Sequence, residues 1–228
     1  MPGVLHHYFF ATEVFRQTEQ VLQQKTAPEG PIFSSKALNR EDFFLGNVLP
    51  DLAKDKELTH FKDDSWIAVG FRVPNLREAK KELALASNQS LAYGAFAHLF
   101  LDQKFIEFFV WPRFEFRWDE DRITCKRTGK VYSVSEFFSP NGLYFGYSEL
   151  NGAILDKGLI DCKYVHSLPD WPKQLGIERF DTWREESWRE ELNRYLLDLV
   201  ETSGTVFLAA EFVQFIRSTA TDFISVRM

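Results

Sequence analysis

The sequence predicts a mainly α fold, a multi-helix bundle with a small β-hairpin insertion near residues 122–135. Three observations carry that reading. The stretch "LAYGAFAHLFLDQKFIEFFVWP" (91–112) is apolar on nearly every face, the pattern of a helix buried on most sides. Helix-starting residues precede two further segments, Asn75 after Pro74 and the pair Thr182 and Glu185. Strand-like alternation is confined to one region around Thr128-Gly129. With 228 residues, 45% of them hydrophobic, the chain can bury one sizeable core, and it reads as a single helical domain over 1–228 with the hairpin insert at about 113–140.

Taken in order, "HHYFFATEVFRQTEQVLQQK" (6–25) predicts a first helix, broken by Pro28, Gly30 and Pro31. A short helix is expected over 34–45. Residues 45–61 read as a loop, because Pro50 should stop any helix, and Asp51 follows it directly. A helix over 75–87 starts at Asn75, and the buried helix runs over roughly 90–110, stopping at Trp111-Pro112. "RITCKRTGKVYSVSEFF" (122–138) reads as a two-stranded hairpin. A helix over 147–158 ends at Gly158. A loop with Pro169 and Pro172 leads to the helix that Thr182 and Glu185 cap, and a last helix covers about 205–217.

Composition excludes some functions. Twenty-seven Lys and Arg against 33 Asp and Glu leave a formal charge of −6, so an electrostatic grip on duplex nucleic acid is not expected. Cys125 and Cys162 lie in no ligand-like spacing and read as free thiols in a reducing compartment. The N-terminus has no cationic stretch followed by a long apolar core, so no signal peptide is expected. Gln103, Lys104 and Glu107 interrupt the best candidate for a membrane span. The expectation is a soluble, cytoplasmic protein.

His98 and Asp102 raise the functional question. Four residues apart, they share one face of the buried helix. A buried carboxylate is costly unless it is paired or holds a metal, so the partner is the histidine itself, an arginine from elsewhere, or a cation. The other histidines are His6, His7, His60 and His166. His6 must point to a different face of the first helix from His7, and His166, in "YVHSLPD", reads as a surface-loop residue. Asp51 and His60 stand in "LPD" and "THF". The aromatics Phe105, Phe108, Phe109 and Trp111 suit a core or the wall of an apolar groove equally. Glu149 and Asn151 are further candidates on the following helix.

The ordered series "HHYFF…GNVLPDLA…THF…YGAFAHLFLD" resembles the zinc-dependent phospholipase C family, the superfamily that includes single-strand nucleases. The matching residues are His7, Gly46, Pro50-Asp51, His60-Phe61, Gly94, His98 and Asp102, and they cover residues 1–110. The resemblance implies an all-helical scaffold and a divalent cation, zinc first and manganese or iron as alternatives, held by His7, Asp51, His60, His98 and Asp102. It also implies hydrolysis of phosphoester bonds in a small-molecule or lipid substrate. Asp51 is the candidate general base, because it lies on the segment read as a loop. His7 with Asp102 offers a place for a second cation. The chain departs from the full family pattern after Asp102, where His166 is the sole histidine and no His-x-x-x-Glu follows to build a three-metal cluster. The competing expectations are a metal-stabilised, catalytically degenerate interaction or scaffold protein, and a nuclease-like hydrolase that the negative charge disfavours. No His-Asp dipeptide occurs, which argues against the other common helical phosphohydrolase class.

Overall fold

A computed structural model of the chain describes residues 3–23, 38–63, 71–161, 174–181, 190 and 206–226. The fold is mainly α, with eight α-helices and a small three-stranded sheet among these residues. The helices are α1 (Val4–Gln23), α2 (Arg40–Leu52), α3 (Lys56–Thr59), α4 (Leu76–Leu83), α5 (Gln89–Lys104), α6 (Val134–Phe137), α7 (Leu143–Asp156) and α8 (Ala209–Ser225). No helix among the described residues is long and apolar enough to cross a membrane.

The centre is α5. Every residue from Leu91 to Asp102 is buried, as its lack of a polar face demands. Asn88 caps it, its side chain accepting the Leu91 N–H at 3.1 Å. The helix continues as one widened π-helical segment, Phe105–Val110, before a 3₁₀ turn at Trp111–Arg113. Phe105 and Phe109 are fully buried there and meet Phe207 and Phe212, so they belong to the core, whereas Phe108 is exposed.

Against α5 lies α2, itself buried from Asp42 to Leu52. The two backbones touch. A Cβ on Gly46 would stand 2.0 Å from the Leu91 carbonyl oxygen, and one on Gly94 would stand 2.1 Å from that of Phe43. No side chain fits at either position. Helix α1 packs on α8, α2, α5 and α7, closing the bundle.

The structure corrects the reading of 45–61 as a loop. Pro50 lies inside α2, which runs on to Leu52, and α3 follows at once. Proline removes one N–H and costs helix stability. Here burial of the whole α2 face against α5 and α1 outweighs that cost, and the Pro50 carbonyl accepts the Thr59 hydroxyl at 2.9 Å. Asp51 is therefore a helical residue.

Other differences are smaller. The hairpin Arg122–Cys125 with Val131–Tyr132 forms around Thr128-Gly129, but the stretch after it, read as strand to 138, turns helical at Val134–Phe137, where Ser133 and Glu136 form a capping box, and a third strand, Phe114–Arg117, pairs antiparallel with Arg122–Cys125. That strand follows so directly on the buried helix that its alternation was masked by aromatic residues. Asn75 caps α4 as expected. Helix α7 starts earlier than the sequence suggests, and at its end Gly158 takes φ +58°, with Gly158 N–H on the Leu155 carbonyl and Leu159 N–H on that of Ile154. Helix α8 runs later than 205–217. A second pair of short strands, Lys62–Asp63 and Val73–Pro74, was not expected. The helix capped by Thr182 and Glu185, the loop with Pro169 and Pro172, Cys162 and His166 lie outside the described residues.

The Gly46/Gly94 crossing yields a direct test. Gly94→Ala forces a methyl group into the Phe43 backbone, and overpacking of this kind typically costs about 1–3 kcal/mol or more. The expected outcome is a clear fall in the urea midpoint, whereas Gly129→Ala, which meets nothing within 4 Å, is limited to the cost of its positive φ.

Candidate metal centre

Four segments bring five side chains together. His7 comes from the first turns of α1, Asp51 from the last turn of α2, His60 from the C-cap of α3, and His98 and Asp102 from α5. All are buried. His60 and Asp102 have no solvent-exposed side chain, His7 and His98 are 1% exposed, and Asp51 at 12% is the one ligand that reaches solvent.

The donor atoms converge. His60 Nε2 lies 3.2 Å from His98 Nε2, 3.5 Å from Asp102 Oδ2 and 3.7 Å from Asp51 Oδ1. His98 Nε2 lies 3.5 Å from the same Asp102 oxygen. Ligand atoms on a tetrahedron with metal bonds of about 2.0–2.2 Å stand about 3.3–3.6 Å apart, so these separations match those of a site that could hold a cation. The other Asp102 oxygen, Oδ1, faces His7 Nε2 at 3.4 Å. The His7 and His98 rings stack at 3.6 Å, 5° from parallel. Two overlapping sets thus form, His60 with His98 and Asp102, and His7 with Asp51 and His98.

Hydrogen bonds outside the cluster decide what faces inward. His98 Nδ1 lies 2.7 Å from the Asn47 carbonyl oxygen, and His60 Nδ1 lies 2.7 Å from that of Lys56. A carbonyl only accepts, so each Nδ1 carries the proton and donates it. Each Nε2 then presents a lone pair. At 3.2 Å the two lone pairs oppose one another, and a hydrogen bond between them requires protonating one ring. Burial resists that: desolvation lowers both imidazoles to about 4, with His7 adding to the effect on His98. Nor does a metal-free His98–Asp102 hydrogen bond form, since neither Asp102 oxygen accepts a hydrogen bond among the described residues. The cluster could hold a metal ion, and the donor chemistry fits one.

The two carboxyls differ. Burial pushes Asp102 up, opposed by His98 and His60. Burial also raises Asp51, but His98, Lys56, His60 and His7 together outweigh it and hold Asp51 well below the usual carboxylate range. Lys56 Nζ donates to Asp51 Oδ1 at 3.0 Å.

All five residues singled out in the sequence therefore meet, but Asp51 does so from a helix, not from a mobile loop. His6 turns away: it is buried against Phe105, Tyr147 and Phe212, and its Nδ1 accepts the Gly3 N–H at 3.1 Å. Glu149 accepts the Val206 N–H at 3.3 Å, and Asn151 is buried on α7. Sequence reasoning missed the Asn47 carbonyl and Lys56, and it gave Phe61 no structural role. Phe61 follows His60 with φ +46°, a left-handed conformation that costs a non-glycine residue roughly 1–2 kcal/mol. Its ring is held by Phe180 and by the Arg179 guanidinium at 4.6 Å. The "His-Phe" pair is thus a local turn that aims His60 inward. No family model, curated protein or solved structure matches the chain.

The buried imidazoles set a pH dependence. His60 and His98 sit near 4 and His6 near 3 in the folded chain, against 6.5 ordinarily, because burial disfavours their charged forms. As pH falls below about 6.5 the unfolded chain binds protons first, so stability is lost progressively down to about pH 4 for His60 and His98 and about pH 3 for His6. Urea midpoints measured in chelator should decline across that window. A flat profile would show that these rings are not buried and neutral.

Proposed function

We propose that the chain is a metal-dependent hydrolase of phosphoester bonds, a phospholipase C-like phosphodiesterase with zinc as the preferred ion. One observation carries the reading: two neutral imidazole lone pairs and an unbonded carboxylate converge in a site that water reaches only at Asp51. Imidazole and carboxylate donors at tetrahedral spacing favour zinc, while manganese or iron would suit a larger shell. The ordered residues shared with the zinc-dependent phospholipase C family support the same reaction class.

A divalent cation bound there would supply Lewis acidity for a phosphoryl oxygen and for water. The chain would do the rest. His60 and His98 would hold the cation through Nε2, each fixed in orientation by a backbone carbonyl. Asp102 offers one oxygen to that pair and the other toward His7. Asp51, at the solvent edge, would take the proton of the attacking water as the water oxygen bonds to phosphorus and the phosphorus–ester oxygen bond breaks, the departing oxygen taking a proton from solvent. Its place at the solvent edge, not loop mobility, recommends it as the base.

The burial of the other four ligands favours a second reading, a closed structural centre in a scaffold protein. Asp51 separates the two. Asp51→Asn should retain metal and lose turnover by about 10²–10⁴-fold, the usual loss for a general base. Asp102→Asn should lose metal as well. The measurements are elemental analysis of protein purified without added metal, then hydrolysis assays on phosphomonoesters, phosphodiesters, phospholipids and single-stranded nucleic acid. A full metal complement with no turnover on any of them would leave the structural centre standing.

A further inference from the structure

Lys56 stands where the site opens. Four of the five ligands are sealed from solvent, and the fifth, Asp51, carries the Lys56 ammonium 3.0 Å from its Oδ1. The Lys56 side chain is 39% exposed, so its charge faces both the ligand cluster and the bulk. Its main chain is fixed independently. The Lys56 carbonyl accepts His60 Nδ1 at 2.7 Å and the His60 N–H at 3.1 Å, and Asp55 caps the helix by accepting the Glu57 and Leu58 N–H groups. The ammonium is thus presented from a braced backbone.

Lys62 and Arg72 both pair with Glu57, and Arg179 pairs with Glu82. Geometry then points to a ligand. The Lys56 ammonium lies against Asp51, the one side chain of the cluster that reaches solvent, where an incoming group would meet it. A neutral ester or amide would offer the ammonium only a dipole. An oxyanion would give it a charge-assisted hydrogen bond, with one oxygen toward the cation and another accepting from the ammonium.

We propose that Lys56 is the anion-recognition residue of this centre, selecting ligands whose reacting group is a negatively charged phosphoryl group. The proposal rests on the metal reading above, but not on turnover. Because Lys56 is partly exposed, its grip on the anion weakens as salt rises.

The test is calorimetric titration of the zinc-loaded full chain with inorganic phosphate and with dimethyl phosphate, a terminal phosphate and a diester. Lys56→Met keeps the carbonyl that orients His60 and most of the side-chain stem. It should keep its zinc and weaken binding of the preferred probe by about 10–100-fold, as expected for one lost charge-assisted hydrogen bond. Lys56→Arg should restore most of that loss. Tighter binding of phosphate assigns the site to terminal phosphate groups, and tighter binding of dimethyl phosphate assigns it to diesters. Unchanged binding in Lys56→Met would overturn the proposal, as would failure of the wild type to bind either probe. Loss of zinc in Lys56→Met would also overturn it, by making Lys56 a support for Asp51. Lysine-dependent anion binding without hydrolysis of any phosphoester would uphold the anion site and sink the hydrolase. A chain that takes up no zinc would remove both.

Discussion

Gly46 and Gly94 let the backbones of α2 and α5 touch, and the candidate metal centre depends on that contact. Each glycine faces a carbonyl of the opposite helix at a distance no side chain could share. One residue along from Gly46, the Asn47 carbonyl reaches His98 Nδ1 at 2.7 Å. One turn along α2, Asp51 comes level with the same cluster. A wider helix separation would break the carbonyl contact, free the His98 ring to rotate, and lift Asp51 out of reach. The two glycines therefore act on chemistry through distance alone.

The resulting site is electrostatically incomplete as a set of protein groups. Desolvation keeps its imidazoles neutral, backbone carbonyls turn their lone pairs inward, and a buried carboxylate sits among them without a hydrogen bond. Such an arrangement is costly to fold unless something positive enters it. A cation that bound the folded chain and not the unfolded one would stabilise it by mass action and so couple folding to metal uptake.

The cluster is asymmetric. Its deep side is formed by α1 and α5, where Asp102 spans from His7 to the His60–His98 pair. Its shallow side is formed by the end of α2 and by α3, where Asp51 and Lys56 meet solvent. The short helix α3 serves both sides at once, its backbone orienting His60 and its lysine side chain holding Asp51.

Local information in the sequence determined the burial of α5, the Asn75 cap, the hairpin at Thr128-Gly129, and the shared face of His98 and Asp102. Periodicity and capping act over a few residues, so they can be read without knowing what lies opposite. The order of His7, Asp51 and His60 also marked members of the cluster, through a resemblance and not through any local signal. Tertiary structure alone decided the rest. Pro50 reads as a helix stop because its missing N–H is a local cost, yet packing of α2 against α5 overrides it and makes Asp51 helical. The Asn47 and Lys56 carbonyls are invisible in sequence, since every residue has one and only its placement against an imidazole gives it a role. Phe61 takes a left-handed turn that no pattern announces, because the contacts holding it come from Phe180 and Arg179, more than a hundred residues away along the chain. Segments so far apart meet only through the packing of the whole bundle, and that is where the site is made.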